Sequence, residues 1–119
     1  MQYMLLIYAN EAEMASLSES VHSERTAAYM AYGQALAQAG AMVSANRLRP
    51  ASTATTVRSP GGKTQVLDGP YAETKEQLAG YFLIEAPDLD SALAWAARCP
   101  AATEGTVEVR PIMPTPVSV

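Results

Sequence analysis

Residues Tyr3 to Tyr8 (Tyr-Met-Leu-Leu-Ile-Tyr) are apolar without a break. A run of this length, made of β-forming residues, marks a strand covered on both faces, so it is expected at the centre of a sheet. Gly80 to Ala86 repeats the signal. Between them the period changes. Ala28, Tyr32, Ala35, Leu36 and Ala39 recur at three- and four-residue steps, which predicts a helix from about Ser23 to Ala39 with one apolar stripe. Gly40 supplies the left-handed residue on which helices commonly end, and the polar stretch Glu11 to Ser20 before it holds a short helical turn at most. Ala41 to Leu48 reads as the next strand. Thr53 to Arg58 and Lys63 to Leu67 are two short strands around Ser59-Pro60-Gly61-Gly62, residues that suit a hairpin turn. Asp88 is placed to cap a second helix in which Leu89, Ala92, Leu93 and Ala96 share a face, ending before Pro100. In Thr106 to Met113, Val107 and Val109 alternate with Glu108 and Arg110, as a half-buried strand requires.

The order strand, helix, strand, hairpin, strand, helix, strand is the ferredoxin-like split βαβ pattern with an inserted β-hairpin, an α+β fold on an antiparallel sheet. Right-handed crossovers put both helices on one face. Tyr3, Leu5 and Ile7 point to one side of their strand and Met4, Leu6 and Tyr8 to the other, yet two helices cover one side only. At roughly 25 cal/mol per Å² of apolar surface, a whole wet face forfeits several kcal/mol and leaves a sticky patch. A second copy of the chain is the economical cover, which predicts a homodimer through the sheet face, a dimeric α+β barrel. One domain over residues 1–113 and a mobile tail over 114–119 are expected.

A chain of 119 residues has room for one core and no separate cofactor domain. Eight Lys and Arg against twelve Asp and Glu, a net charge of -4, argue against a phosphate-backbone-binding surface, so nucleic acid is not an expected partner. The opening residues lack a cationic region, and their apolar run falls short of the roughly 18–20 residues that span a bilayer; no membrane association and a cytoplasmic location are expected. Cys99 is the only cysteine, so no intrachain disulfide forms, and its place at the end of an Ala-rich helix reads as a packed thiol. One His and one Cys far apart make no metal set, and neither a G-x-G-x-x-G nor a G-x-S-x-G pattern occurs. No metal and no cofactor are expected.

Chemistry concentrates in Asp68-Gly69-Pro70-Tyr71-Ala72-Glu73-Thr74-Lys75-Glu76 and on to Tyr81. Asp68 at a strand end, its carboxylate facing a cleft, could act as a general base if partly buried; Asp-Gly-Pro is equally a turn sequence. Glu73, Lys75 and Glu76 are either solvated loop charges or, turned inward, a polar lining in which Lys75 orients an anionic ligand. Tyr71 would orient substrate, and Arg47 or Arg58 would pair with its anion. His22, the only histidine, is a reserve acid on the polar approach to the first helix.

The Asp68 to Tyr81 block, with Tyr3–Tyr8, Thr53–Arg58, Asp88-Leu89-Asp90, Ala92–Ala97 and Val107–Pro111, resembles the DGPF-type branch of the YCII-related family, Tyr71 standing where the motif's name has Phe. The resemblance implies a dimeric α+β barrel. The YCII branch carries a histidine inside its first helix, and the resemblance puts its counterpart close to Tyr29 and away from His22. Relatives of the DGPF type are encoded beside alternative sigma factors in many bacteria, which implies a regulatory setting. Two functions follow as expectations: a cofactor-free homodimer that acts on a small organic molecule by proton transfer or elimination, with Asp68 as base, and a non-catalytic binding or accessory module.

Overall fold

A computed structural model describes residues 1–116; the tail expected from residue 114 falls partly on 117–119, which lie outside the described residues. The strands are β1 (Gln2–Ala9), β2 (Met42–Arg47), β3 (Thr55–Arg58), β4 (Gln65–Asp68), β5 (Gln77–Glu85) and β6 (Thr106–Pro111), and the helices α1 (Glu11–Ala15), α2 (Glu19–Gln38) and α3 (Leu89–Arg98). Four strands form one sheet in the order β2-β5-β1-β6, all neighbours antiparallel, with the two apolar strands in the middle. This is the expected ferredoxin-like α+β arrangement.

Local chemistry sets the boundaries. The Asp88 carboxylate accepts from the Ser91 N–H at 2.8 Å and starts α3 where the cap was expected. Helix α2 begins earlier than its apolar stripe does, because the Ser18 hydroxyl accepts from the Val21 N–H at 3.3 Å. His22 therefore lies inside the first turn of α2 and not on an approach to it. Strand β3 begins later than expected, since Pro50 leads a single 3₁₀ turn over Ala51–Thr53. In the turn between β3 and β4, Gly61 and Gly62 have φ of 60° and 81°, a region closed to most side chains.

Pairing divides the sheet into two unlike faces. Tyr3 opposite Ile84, and Leu5 opposite Phe82, point to the helices; they pack with Tyr32 and Leu36 of α2 and Ala92 and Ala96 of α3 in one core cluster. Leu5, Leu36 and Ile84 are fully buried, each worth about 1.5–3 kcal/mol relative to exposure. The Tyr32 ring meets Phe82 edge-on at 5.1 Å, and its hydroxyl donates to the Trp95 carbonyl at 2.6 Å. The other face carries Met4 opposite Leu83, Leu6 opposite Tyr81, and Tyr8 opposite Leu78. No helix among the described residues covers it, and none of these six side chains belongs to the core cluster.

Strands β3 and β4 pair only with each other, as an arm separate from the main sheet. The molecule is flat, 51 × 47 × 18 Å, with a radius of gyration of 16.6 Å, where a compact chain of this length would have about 13.5 Å.

Candidate functional site

Three segments meet at the root of the arm: the β1–α1 junction, the link from β2 to β3, and the loop from β4 to β5. Polar side chains hold them together. The Glu11 carboxylate accepts from the Ala51 N–H at 2.8 Å, and the Glu11 N–H donates to Gln77 Oε1 at 2.9 Å. Gln77 Nε2 in turn donates to the Thr74 carbonyl at 2.6 Å. Thr106 Oγ1 donates to Glu76 Oε1 at 2.7 Å and ties the same loop to β6. Between the segments lies an open cleft of about 980 Å³, at the upper end of the size of small-molecule sites.

Tyr8, Arg49, Tyr71, Glu73 and Lys75 line this cleft. Tyr8 belongs to the open face of the sheet, and its hydroxyl donates to Glu108 Oε1 at 3.4 Å. Loss of hydration, then the Glu108 carboxylate, push its phenol above the usual tyrosine range. Arg49 and Lys75 have no ion-pair partner among the described residues. The lining balances these two cations against two carboxylates, Glu11 and Glu73; cations free of ion pairs, with two phenols beside an apolar wall, are suited to contact an organic anion.

Asp68-Gly69-Pro70 is the corner where the arm joins. The Gly69 N–H donates to the Ala54 carbonyl at 2.7 Å, and Thr56 Oγ1 donates to the Gly69 carbonyl at 2.7 Å. Gly69 has φ of 103°, so the motif's glycine meets a backbone need. Asp68 pairs with Thr55 on the face of the arm that also carries Val57 and Val66, while Thr56, on the opposite face, lines the cleft. Asp68 is exposed and outside the cleft lining.

The remaining candidates are dispersed. Arg58 is exposed at the end of β3, and His22 is exposed on α2; neither lines a cleft. Arg47 pairs with Gly80 on the helix-covered face and lines a second, smaller cleft of about 280 Å³ with Ile7, Arg25, Tyr29 and Phe82. The expected site residues thus fall into three places: Tyr71, Glu73 and Lys75 together, Arg47 across the sheet, and Asp68, Arg58 and His22 on open surface. Among the described residues no group of three or more His, Cys, Asp or Glu could hold a metal ion.

The profile of the YCII-related domain matches residues 1–116. The chain belongs to the YCII-related family. It is 37% identical over 114 residues to an uncharacterised protein of Rhizobium meliloti, an alignment that spans 94% of this chain and 92% of the relative.

In this YCII-related chain, Tyr29 occupies the stretch of the first long helix where the family resemblance points. Its ring stacks on Phe82 with centroids 6.5 Å apart. Burial, then the neighbouring Cys99, push its hydroxyl up to about 12. Cys99 is itself buried, and burial raises its thiol above the ordinary range, which agrees with a packed, unreactive thiol. Arg25 is held by Glu104. The sequence reading missed Arg49, Glu11 and Tyr8 as cleft residues. The one signal for Arg49 was its spacing from Arg47, but β2 ends at Arg47 and Pro50 redirects the chain, so the two arginines go to different clefts.

Proposed function

We propose that this YCII-related protein is a homodimeric binding protein whose arm-root cleft takes a small organic anion. The carrying observation is that Tyr71 and Lys75, from the β4–β5 loop, share the cleft with Arg49, and that neither cation forms an ion pair among the described residues, although Glu11 and Glu73 line the same cleft. Residues 1–113 act as one unit in this reading, and the wet apolar face of the sheet supports packing against a second copy. Exposure of Asp68 outside the cleft favours the binding module over proton transfer by that carboxylate. Nothing in this reading requires a metal, a cofactor, nucleic acid or a membrane; none of the described helices is long and apolar enough to cross a bilayer.

A thermal-shift screen of small organic acids against the wild type, Lys75→Gln and Asp68→Asn tests the reading. At least one acid is expected to raise the melting temperature of the wild type and of Asp68→Asn, with Kd weakened about tenfold or more in Lys75→Gln, a loss of roughly 1.4 kcal/mol. A hit that survives Lys75→Gln unchanged but is lost or no longer turned over in Asp68→Asn would restore Asp68 as the working group.

A further inference from the structure

The helix-covered face of the sheet is not sealed evenly. Leu5 and Phe82, paired in one row across β1 and β5, are buried and pack with Tyr32 and Leu36. The next row on that face is Ile7, Gly80 and Arg47, and its central residue has no side chain. Strand β2 passes so near Gly80 that a Cβ there would meet the Asn46 carbonyl oxygen at 2.6 Å, so close backbone approach requires glycine at this point. The gap left in the row is part of the smaller cleft of about 280 Å³, bounded on the helix side by Met14 of α1 and by Arg25 and Tyr29 of α2.

The chemistry of this cleft differs from that of the arm root. Its walls are apolar, formed by Ile7, Met14 and Ala45 and by Tyr29 and Phe82, whose rings stack on each other. None of the described residues that line it is Asp or Glu, although the chain as a whole is acidic. The side chain of Asn46 is already engaged, its Nδ2 donating to the Tyr81 hydroxyl at 2.9 Å. Of the two cations, Arg25 is ion-paired with Glu104, whereas Arg47, exposed on the edge strand β2, forms no ion pair among the described residues. An apolar, ring-walled cleft with one free guanidinium and no acid can hold an apolar body by burial and one carboxylate by paired N–H donors. A volume just under the usual range for ligand sites limits that body to a single ring.

We infer that this cleft is a second binding site, which takes a small aromatic monocarboxylate. The ring of the ligand lies against Phe82, Tyr29 and Met14, and its carboxylate pairs with Arg47. One free cation matches one negative charge. The site is separate from the arm-root cleft and does not depend on what that cleft binds.

Titration with benzoate and with phenylacetate, followed by amide NMR shifts, tests the site on the wild type, Arg47→Gln, Ala45→Phe and Lys75→Gln. Saturable shifts are expected in the wild type at Ile7, Tyr29 and Phe82 and not along residues 71–77. Arg47→Gln should weaken Kd about tenfold or more, and Ala45→Phe, which fills the cleft, should abolish binding. Both variants should keep the circular dichroism of the wild type, because both residues are exposed. Lys75→Gln should bind as the wild type does. Benzyl alcohol, a similar ring without the charge, should bind at least about tenfold more weakly than benzoate; equal binding overturns the pairing with Arg47. The absence of saturable shifts in the wild type with either acid at millimolar concentration, or an affinity indifferent to both Arg47→Gln and Ala45→Phe, overturns the site. Shifts confined to residues 71–77 and lost in Lys75→Gln overturn it too, while supporting the arm-root cleft of the preceding section.

Discussion

The two faces of the main sheet are built from alternate residues of the same strands and have opposite fates. On one, Tyr3, Leu5, Phe82 and Ile84 are sealed under α2 and α3. On the other, Met4, Leu6, Tyr81 and Leu83 are as apolar but only half buried, and the arm-root cleft opens at that face's edge through Tyr8 and Leu78. The first face holds the core cluster of the chain. The second lies outside that cluster, and an apolar face left open is the mark of an assembly or binding surface.

The largest effect expected is on the covered side. Leu36→Ala removes a fully buried side chain and should cost about 2–5 kcal/mol in urea unfolding. Leu6→Ala, compared at concentrations where only monomer is present, should stay within about 1 kcal/mol; equal losses would mean that the faces do not differ as described. Next is Tyr32→Phe, which deletes the donor to the Trp95 carbonyl while keeping the ring contact with Phe82, and should cost about 0.5–1.5 kcal/mol. The smallest effect is absent at neutral pH. Burial raises both Tyr29 and Tyr32 above the ordinary tyrosine value of 10.0, Tyr29 to about 12. A raised folded value means that their contribution is complete below about pH 10 and declines as the pH climbs through about 12. Unfolding free energy should therefore fall over that window, and Tyr29→Phe should flatten the fall; an unchanged slope would place the alkaline weakness elsewhere.

The central strands were legible because an unbroken run of β-forming apolar residues too short for a core helix fits little besides a strand buried on both sides, and α3 because Asp88 announces its own cap. The two-sided apolar character of β1 and β5 also showed that one face would be left over. The site was less legible for reasons of register. Asp68 points away from the cleft because it pairs with Thr55, and a shift of one residue would have reversed that. Whether Arg47 or Arg49 reaches the arm-root cleft depends on where β2 stops, a boundary set by Pro50 and by the Leu48 N–H bond to the Ala79 carbonyl. His22 was drawn into α2 by the Ser18 cap, which lies ahead of the apolar stripe from which the helix was read. Tyr71 and Lys75 line the cleft yet stay exposed, Tyr71 at 81%, on a loop that hydrogen bonds through Gln77 and Glu76 tie to the sheet.

Everything proposed for assembly turns on whether the open sheet face belongs under a second copy. Sedimentation equilibrium of the unmodified chain at micromolar concentration measures this directly. The expected result is the mass of a dimer, about twice the 12.6 kDa of the chain, with no monomer plateau on dilution to about one micromolar. A stable, well-folded monomer across that range would contradict it.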